Sequence, residues 1–180
     1  MSDTFMEYLI KKRSTPRDLL LKVLIILTGI ALVFALFFLS PLLGFFSMFG
    51  YLAIAGAVYG MWYLVTAMNV EFEYVLTNGD IDVDKIIAQR KRKRLVSVKC
   101  SSFEELGKYK AAEHQNKTYQ TKLMVCSNPE DPEVWYAVFN HAKLGRTLLV
   151  FNASEAMLEN MKKYLPRQLA FEVFVKRTAQ

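Results

Sequence analysis

The sequence predicts a protein of two unlike parts, a membrane α-helical hairpin followed by a soluble α+β domain. Three observations carry this. From Val23 to Val70 there is no Asp, Glu, Lys, Arg or His, and nearly all the charge lies outside that run. Inside it, Ser40-Pro41-Leu42-Leu43-Gly44 supplies a break, because proline removes a backbone donor and glycine permits a turn. Beyond it, apolar residues alternate through several short segments and then, near the C-terminus, recur at every fourth position.

The bulk numbers agree with such a division. The chain has 180 residues, 53% apolar and 22% charged, with a formal net charge of +6. Its mean hydropathy is +0.16 and its pI about 9.3. Basicity of this kind points to nucleic acid or an anionic membrane surface, and the apolar run favours the membrane. Cys100 and Cys126 are too few for a disulfide framework, and they read as small buried strand residues.

Residues 1–20 read as a cytoplasmic basic segment carrying Lys11, Lys12, Arg13 and Arg17, with Lys22 just beyond. Residues 21–68 form the hairpin. As one straight helix the uncharged run would extend about 72 Å, whereas a bilayer core about 30 Å thick needs about 20 residues per span. The expected spans are 21–39 and 46–68, joined by the Pro41–Gly44 turn. A signal peptide is the rival, but its apolar core is usually about 7–15 residues, and the small tripeptide Ala53-Ile54-Ala55 lies in mid-segment. Positive charge flanks both ends and is missing from the turn, so both termini are expected in the cytoplasm, with the chain a two-span protein of the plasma membrane. Trp62 and Tyr63 suit the interfacial belt.

Gly56 and Gly60 form a G-x-x-x-G spacing that Ala53 continues, and Ala31 and Ala35 offer the same interval in the first span. Small residues one turn apart let backbones approach closely in lipid. Their expected use is packing the two spans together, with homodimerisation through the same face as the rival use. The run contains no charge, which argues against an ion path or proton relay.

In residues 69–180, VEFEYVLT (70–77) alternates, Asn78-Gly79 suits a tight hairpin, and Asp80–Ala88 returns with Ile81 and Val83 opposite in face to Asp80, Asp82 and Asp84. Leu95–Cys100 is the next strand of an antiparallel meander. Ser102–Leu106 resembles a short turn or helix start, and Gly107–Thr118 a polar loop. Tyr119–Ser127 reads as a strand, and Glu133–Asn140 with Arg146–Phe151 as a second hairpin. Ser154 is the N-cap expected for a helix in which Met157, Met161 and Leu165 share a face, ended by Pro166. Leu169–Val175 alternates again and reads as a last strand.

Strands in succession followed by a helix resemble pleckstrin-homology-like (PH-like) domains. The likeness is sharpest over Tyr74-Val75-Leu76-Thr77-Asn78-Gly79-Asp80-Ile81-Asp82-Val83-Asp84-Lys85-Ile86 with Arg94-Leu95-Val96-Ser97-Val98, and it is to the PH-like domains of small bacterial membrane proteins with two N-terminal transmembrane helices. The resemblance covers about residues 70–165. It implies an antiparallel β-barrel or sandwich with a helix near the C-terminus, and it implies no catalytic residues.

Arg90-Lys91-Arg92-Lys93-Arg94 is the strongest candidate site, for anionic lipid headgroups or an acidic membrane-protein partner. The bland alternative is that this cluster only sets topology. Asp80, Asp82 and Asp84 lack the glycine of a calcium loop and read as a solvated strand face. His114 and His141 have no paired metal-ligand spacing, so no metal site is expected. Neither a phosphate-binding loop nor a nucleophile elbow occurs, and no aromatic-interleaved motif supports nucleic acid. The expectation is a membrane-anchored, non-enzymatic binding or scaffolding module without a cofactor. The alternative is a structural or assembly subunit of a membrane complex acting through its transmembrane helices.

Overall fold

The computed structural model describes residues 5–174, and the chain separates into two units, Met1–Arg13 with Glu71–Gln180, and Ser14–Val70.

The helical unit consists of α1 (Pro16–Leu39), a 3-10 turn at Ser40–Phe46, and α2 (Ser47–Ala67). The first helix begins five residues before the predicted span. Its start is set by a capping box: Asp18 N donates to Thr15 Oγ1 at 3.2 Å and Thr15 N donates to Asp18 Oδ2 at 3.0 Å, with Pro16 in the first turn. The chain reverses at Gly44, whose φ of 53° and ψ of −116° lie outside helical geometry. Positions that are not exposed recur at heptad-like spacing, the half-buried Ile25, Gly29, Val33 and Leu36 on α1, and on α2 the buried Gly50 with the half-buried Ile54, Ala57 and Met61, Gly60 being half-buried beside Met61. Along this seam Met61 packs against Gly29 and Ser40 against Gly50. The remaining surface is apolar and uncovered. Pro16–Ala67 has the length and composition needed to cross a membrane, yet only 6% of its most apolar window is buried.

The other unit begins with a strand that the basic N-terminal segment conceals. β1 (Phe5–Lys11) pairs antiparallel with β2 (Val70–Thr77), from Phe5 opposite Thr77 to Lys11 opposite Glu71. Within the expected basic segment, Phe5–Lys11 is therefore a strand of this sheet, and the helical unit is inserted between two neighbouring strands. β3 (Asp80–Ile87) and β4 (Lys91–Lys99) complete a meander ordered β1-β2-β3-β4. The β2–β3 turn uses Asn78 and Gly79, both at positive φ, and Tyr164 lies where a Gly79 Cβ would point.

The second sheet is ordered β5-β7-β8-β6, from β5 (Phe103–Lys108), β6 (Thr121–Met124), β7 (Val134–His141) and β8 (Gly145–Asn152). Two expectations change here. Ser102–Leu106 is not a helix start: a 3-10 turn, Cys100–Ser102, leads straight into β5. The sheet is not wholly antiparallel either, since β6 runs parallel to β8. The described strands form two four-stranded sheets rather than a closed barrel.

α3 (Ala111–His114) lies between β5 and β6. α4 (Glu155–Lys162) starts as predicted, with Met157 N donating to Ser154 Oγ at 3.3 Å, and Met157, Met161 and Leu165 are buried. The predicted last strand is instead a helix, α5 (Arg167–Phe174). Its apolar residues do alternate, but Leu169 and Val173, four apart, point inward while Phe171 is 56% exposed. Pro166 O accepts the first helical bond, from Ala170 N, and so starts this helix; the previous one has already ended at Lys162, where Tyr164 N and Leu165 N donate to Met161 O.

Tyr74, Leu76, Ile81 and Val83 of the first sheet and Phe139, Leu149 and Phe151 of the second are fully buried, along with Met157 and Met161. Tyr74 ties the sheets together. Its hydroxyl donates to Val125 O and accepts from Asn152 N at 3.4 Å, and its ring meets Phe151 edge-on at 6.1 Å. Burial pushes the Tyr74 phenol far above its ordinary range.

Candidate functional site

The basic cluster sits at the β3–β4 turn and the start of β4. This turn places Ala88 and Gln89 at φ of 54° and 57°, the left-handed geometry that asparagine and glycine occupy at less cost. Strand alternation then divides the cluster. A bulge between Val83 and Asp84 shifts the register so that Arg94 lies opposite Asp84 and Arg92 opposite Ile86. On that face Arg94 Nη1 meets Asp82 Oδ2 at 2.6 Å, Arg94 Nε meets Asp84 Oδ1 at 2.5 Å, and Arg92 Nη2 meets Glu73 Oε1 at 2.7 Å. The Asp80–Asp84 face is thus not simply solvated: Asp84 and Glu73 are buried, and Arg94 and Arg92 are their ionic partners. Burial raises the Glu73 carboxyl above its ordinary value, neighbouring Glu7 adds to the effect, and Arg92 opposes it. Hydrogen bonding to Asp84 holds the Arg94 guanidinium still more firmly charged.

Lys91 and Lys93 project from the opposite face, where Lys93 lies directly across from Lys85 and Lys91 across from Ile87. Like charges set directly opposite repel. Arg90 lies in the turn, its N–H donating to Ile87 O at 3.0 Å. The five predicted residues are therefore two arginines committed to carboxylates, two lysines on the other face and an arginine at the tip. A cleft of about 320 Å³ beside them is lined by Leu9, Glu71, Glu73, Ile86, Gln89 and Arg92, among others.

The predicted small-residue contact in the helical unit falls elsewhere. A Cβ at Gly56 or Gly60 would meet nothing within 4 Å, and Ala31, Ala35 and Ala53 are exposed. The close approaches are at Gly29 and Gly50, because the seam follows the heptad positions and not the G-x-x-x-G pair. Gly60 and Ala57 instead border an apolar groove of about 400 Å³ with Leu24, Thr28 and Leu64.

A third constellation carries no motif. His114, read from sequence as a loop residue, is 3% exposed. Its Nδ1 is 2.8 Å from Tyr119 Oη, its ring stacks on Tyr109 at 5.4 Å, and Tyr136 meets it edge-on at 4.2 Å. Its Nε2 is buried without a hydrogen-bond partner. Burial, with Lys117 nearby, lowers the His114 pKa. The one available sequence signal was the bracketing of His114 by Tyr109 and Tyr119 at equal distance, inside an otherwise polar stretch.

Among the described residues there is no group of three or more His, Cys, Asp or Glu suited to a metal ion. Both thiols are buried and free, and burial pushes Cys100 up to about 12 and Cys126 up to about 11, so neither is a ready nucleophile.

Compared with known families, the chain is matched over residues 2–171 by the model described as Bacterial PH-like domain (DUF6106). The match runs through both units, the helical insertion included. No curated protein and no solved structure matches the chain.

Proposed function

We propose, from the premise that the chain belongs to this family of bacterial PH-like domains, that it is a membrane-anchored, non-enzymatic binding module held at the cytoplasmic face. The observation that carries the reading is the place of the apolar helices between β1 and β2. A core helix of a soluble protein would be mostly buried, and this segment is not. A cleavable signal sequence would take β1 with it and leave β2 without its partner. The residue-by-residue pairing of β1 with β2 supports a chain that returns to the side from which it set out. That favours two crossings, α1 and α2, joined at Gly44. Lys11, Lys12, Arg13, Arg17 and Lys22 favour the cytoplasm for that side.

The same topology supports an anionic surface as the first ligand. Lys11, Glu71, Ile87 and Lys91 mark one end of the first sheet, the end from which the chain runs into and out of the helical segment. Only Met68 and Asn69 separate α2 from β2. Lys85, Lys91 and Lys93 share one face there, and each would contribute about 1 kcal/mol near an anionic bilayer. An assembly subunit is the second reading, favoured by the uncovered Gly56–Gly60 face.

Alkaline carbonate extraction followed by lipid analysis of the purified protein tests the proposal. The protein should stay with the membrane pellet and co-purify with anionic lipid, and a K85Q/K91Q/K93Q variant should lose the lipid enrichment. Release into the carbonate supernatant would overturn the anchor. Equal lipid profiles for the two proteins would overturn the anionic ligand.

A further inference from the structure

One face of the second sheet is closed by its own loop. Val134 and Val138 of β7, Leu148 and Val150 of β8, and Cys126 form a cluster in which every member is at most 4% exposed. What covers it is the segment from Tyr109 to Tyr119, with Tyr109 and Tyr119 packed on the cluster beside Tyr136. The segment has little secondary structure of its own, a four-residue helix ending at His114. His114 inserts among the three tyrosine rings and joins both ends of the cover: it stacks on Tyr109 and hydrogen-bonds Tyr119.

We propose that residues 109–119 are a proton-operated cover, closed while His114 is neutral and released when it is protonated, so that mild acidification uncovers the apolar face of β7 and β8. Neutral His114 carries one N–H and an imidazolium two, so on protonation Nδ1 must donate to Tyr119 Oη while Nε2–H lies in a buried place that offers no acceptor. The charged surroundings do little to compensate. Glu105 of β5 is already shared by Lys117 at 2.9 Å and Arg146 of β8 at 3.5 Å, and Glu113 is held by Lys110 at 3.1 Å. Lys117 and Lys122 of β6 add like charge. The stacked Tyr109 ring attracts a cation but supplies no acceptor for Nε2–H. Release solves the problem directly, because water then solvates the imidazolium.

The test is hydrogen–deuterium exchange of the full chain in detergent micelles at pH 7.5 and 5.0, corrected for intrinsic rates. Protection of residues 109–119 should fall severalfold at the lower pH, while that of α4 is unaffected. In H114Q the drop should vanish. Titration of the wild-type His114 by NMR is the second measurement: the opening midpoint should follow that of His114. Unchanged protection at pH 5.0, an equal drop in H114Q, or an opening that does not follow His114 would each overturn the proposal.

Discussion

Gly50 provides a sharp test of how the helical arms meet. A Cβ added there would lie 2.2 Å from Ser40 Oγ, 2.7 Å from Ser40 Cβ and 3.1 Å from Ser40 Cα. The hydroxyl could rotate away, losing its 2.6 Å bond to Leu36 O, but Cβ and Cα can retreat only if the backbone moves. Gly50→Ala therefore overpacks the seam, which costs about 1–3 kcal/mol. Alanine also recovers about 1 kcal/mol of helix propensity over glycine. Gly56→Ala receives the same propensity gain but meets nothing within 4 Å. Subtracting one variant from the other cancels propensity, so Gly50→Ala should be less stable than Gly56→Ala by about 1–3 kcal/mol. Unfolding in maltoside micelles by titration with SDS, followed by far-UV ellipticity, measures both. Ser40→Gly removes two of the three clashing atoms, so in that background the difference should fall below about 1 kcal/mol. Equal stability of Gly50→Ala and Gly56→Ala would refute the seam and restore the G-x-x-x-G face as a contact between the arms.

Two further outcomes concern the sheets. Tyr74→Phe leaves the buried Val125 carbonyl without its donor and should destabilise the β unit by about 1–3 kcal/mol in thermal unfolding; an unchanged midpoint would mean that the bridge between the sheets contributes nothing. Glu73 has a folded-state pKa above its ordinary 4.5, so the stability it contributes is full below that value and is lost as pH rises through the folded pKa. Glu73→Gln, which keeps an acceptor for Arg92, should match the wild type near pH 4 and become progressively the more stable of the two toward pH 7. A gap that does not change with pH would show that the carboxyl is not perturbed.

The parts legible in the sequence are those whose signals are local. Asn78-Gly79 states a turn in two residues, and Ser154 with Met157 and Met161 states a capped amphipathic helix, although that helix ends at Lys162 and Leu165 is buried from the turn beyond it. β1 alternates as clearly as β2, but its partner lies beyond the whole helical segment, and the flanking lysines made topology the nearer explanation. β5 carries Glu104-Glu105, which reads as a helix start, and becomes a strand because β7 offers a ladder. The basic cluster was visible as charge. Its division was not, since Glu73 and Asp84 reach Arg92 and Arg94 only through strand pairing and a bulge. Tertiary burial likewise decides His114, whose sequence neighbours are polar while its spatial neighbours are three tyrosines.

The pairing of β1 with β2 says more about the helical segment than its composition does. Lys11 and Glu71 are directly opposite each other, and partners in an antiparallel ladder lie about 5 Å apart. Everything between them is therefore, for the sheet, a loop that begins and ends at one place. A two-residue Asn-Gly turn can close the same gap. If the helices serve only as an anchor, a chain in which residues 12–70 are replaced by Asn-Gly should fold as a soluble unit, keeping β1 and burying Tyr74. Deleting 1–70 outright should be much worse, because β2 then loses its partner and presents unpaired N–H and C=O groups along a β-rich edge. Solubility and hydrogen-exchange protection of Glu71–Thr77 distinguish the two chains. If neither is protected there, the helices do more than anchor: they are needed to form the sheet, and the assembly-subunit reading gains on the binding module. If the closed chain is protected and the deleted one is not, the membrane segment is a separable insertion and the search for a ligand belongs to the two sheets.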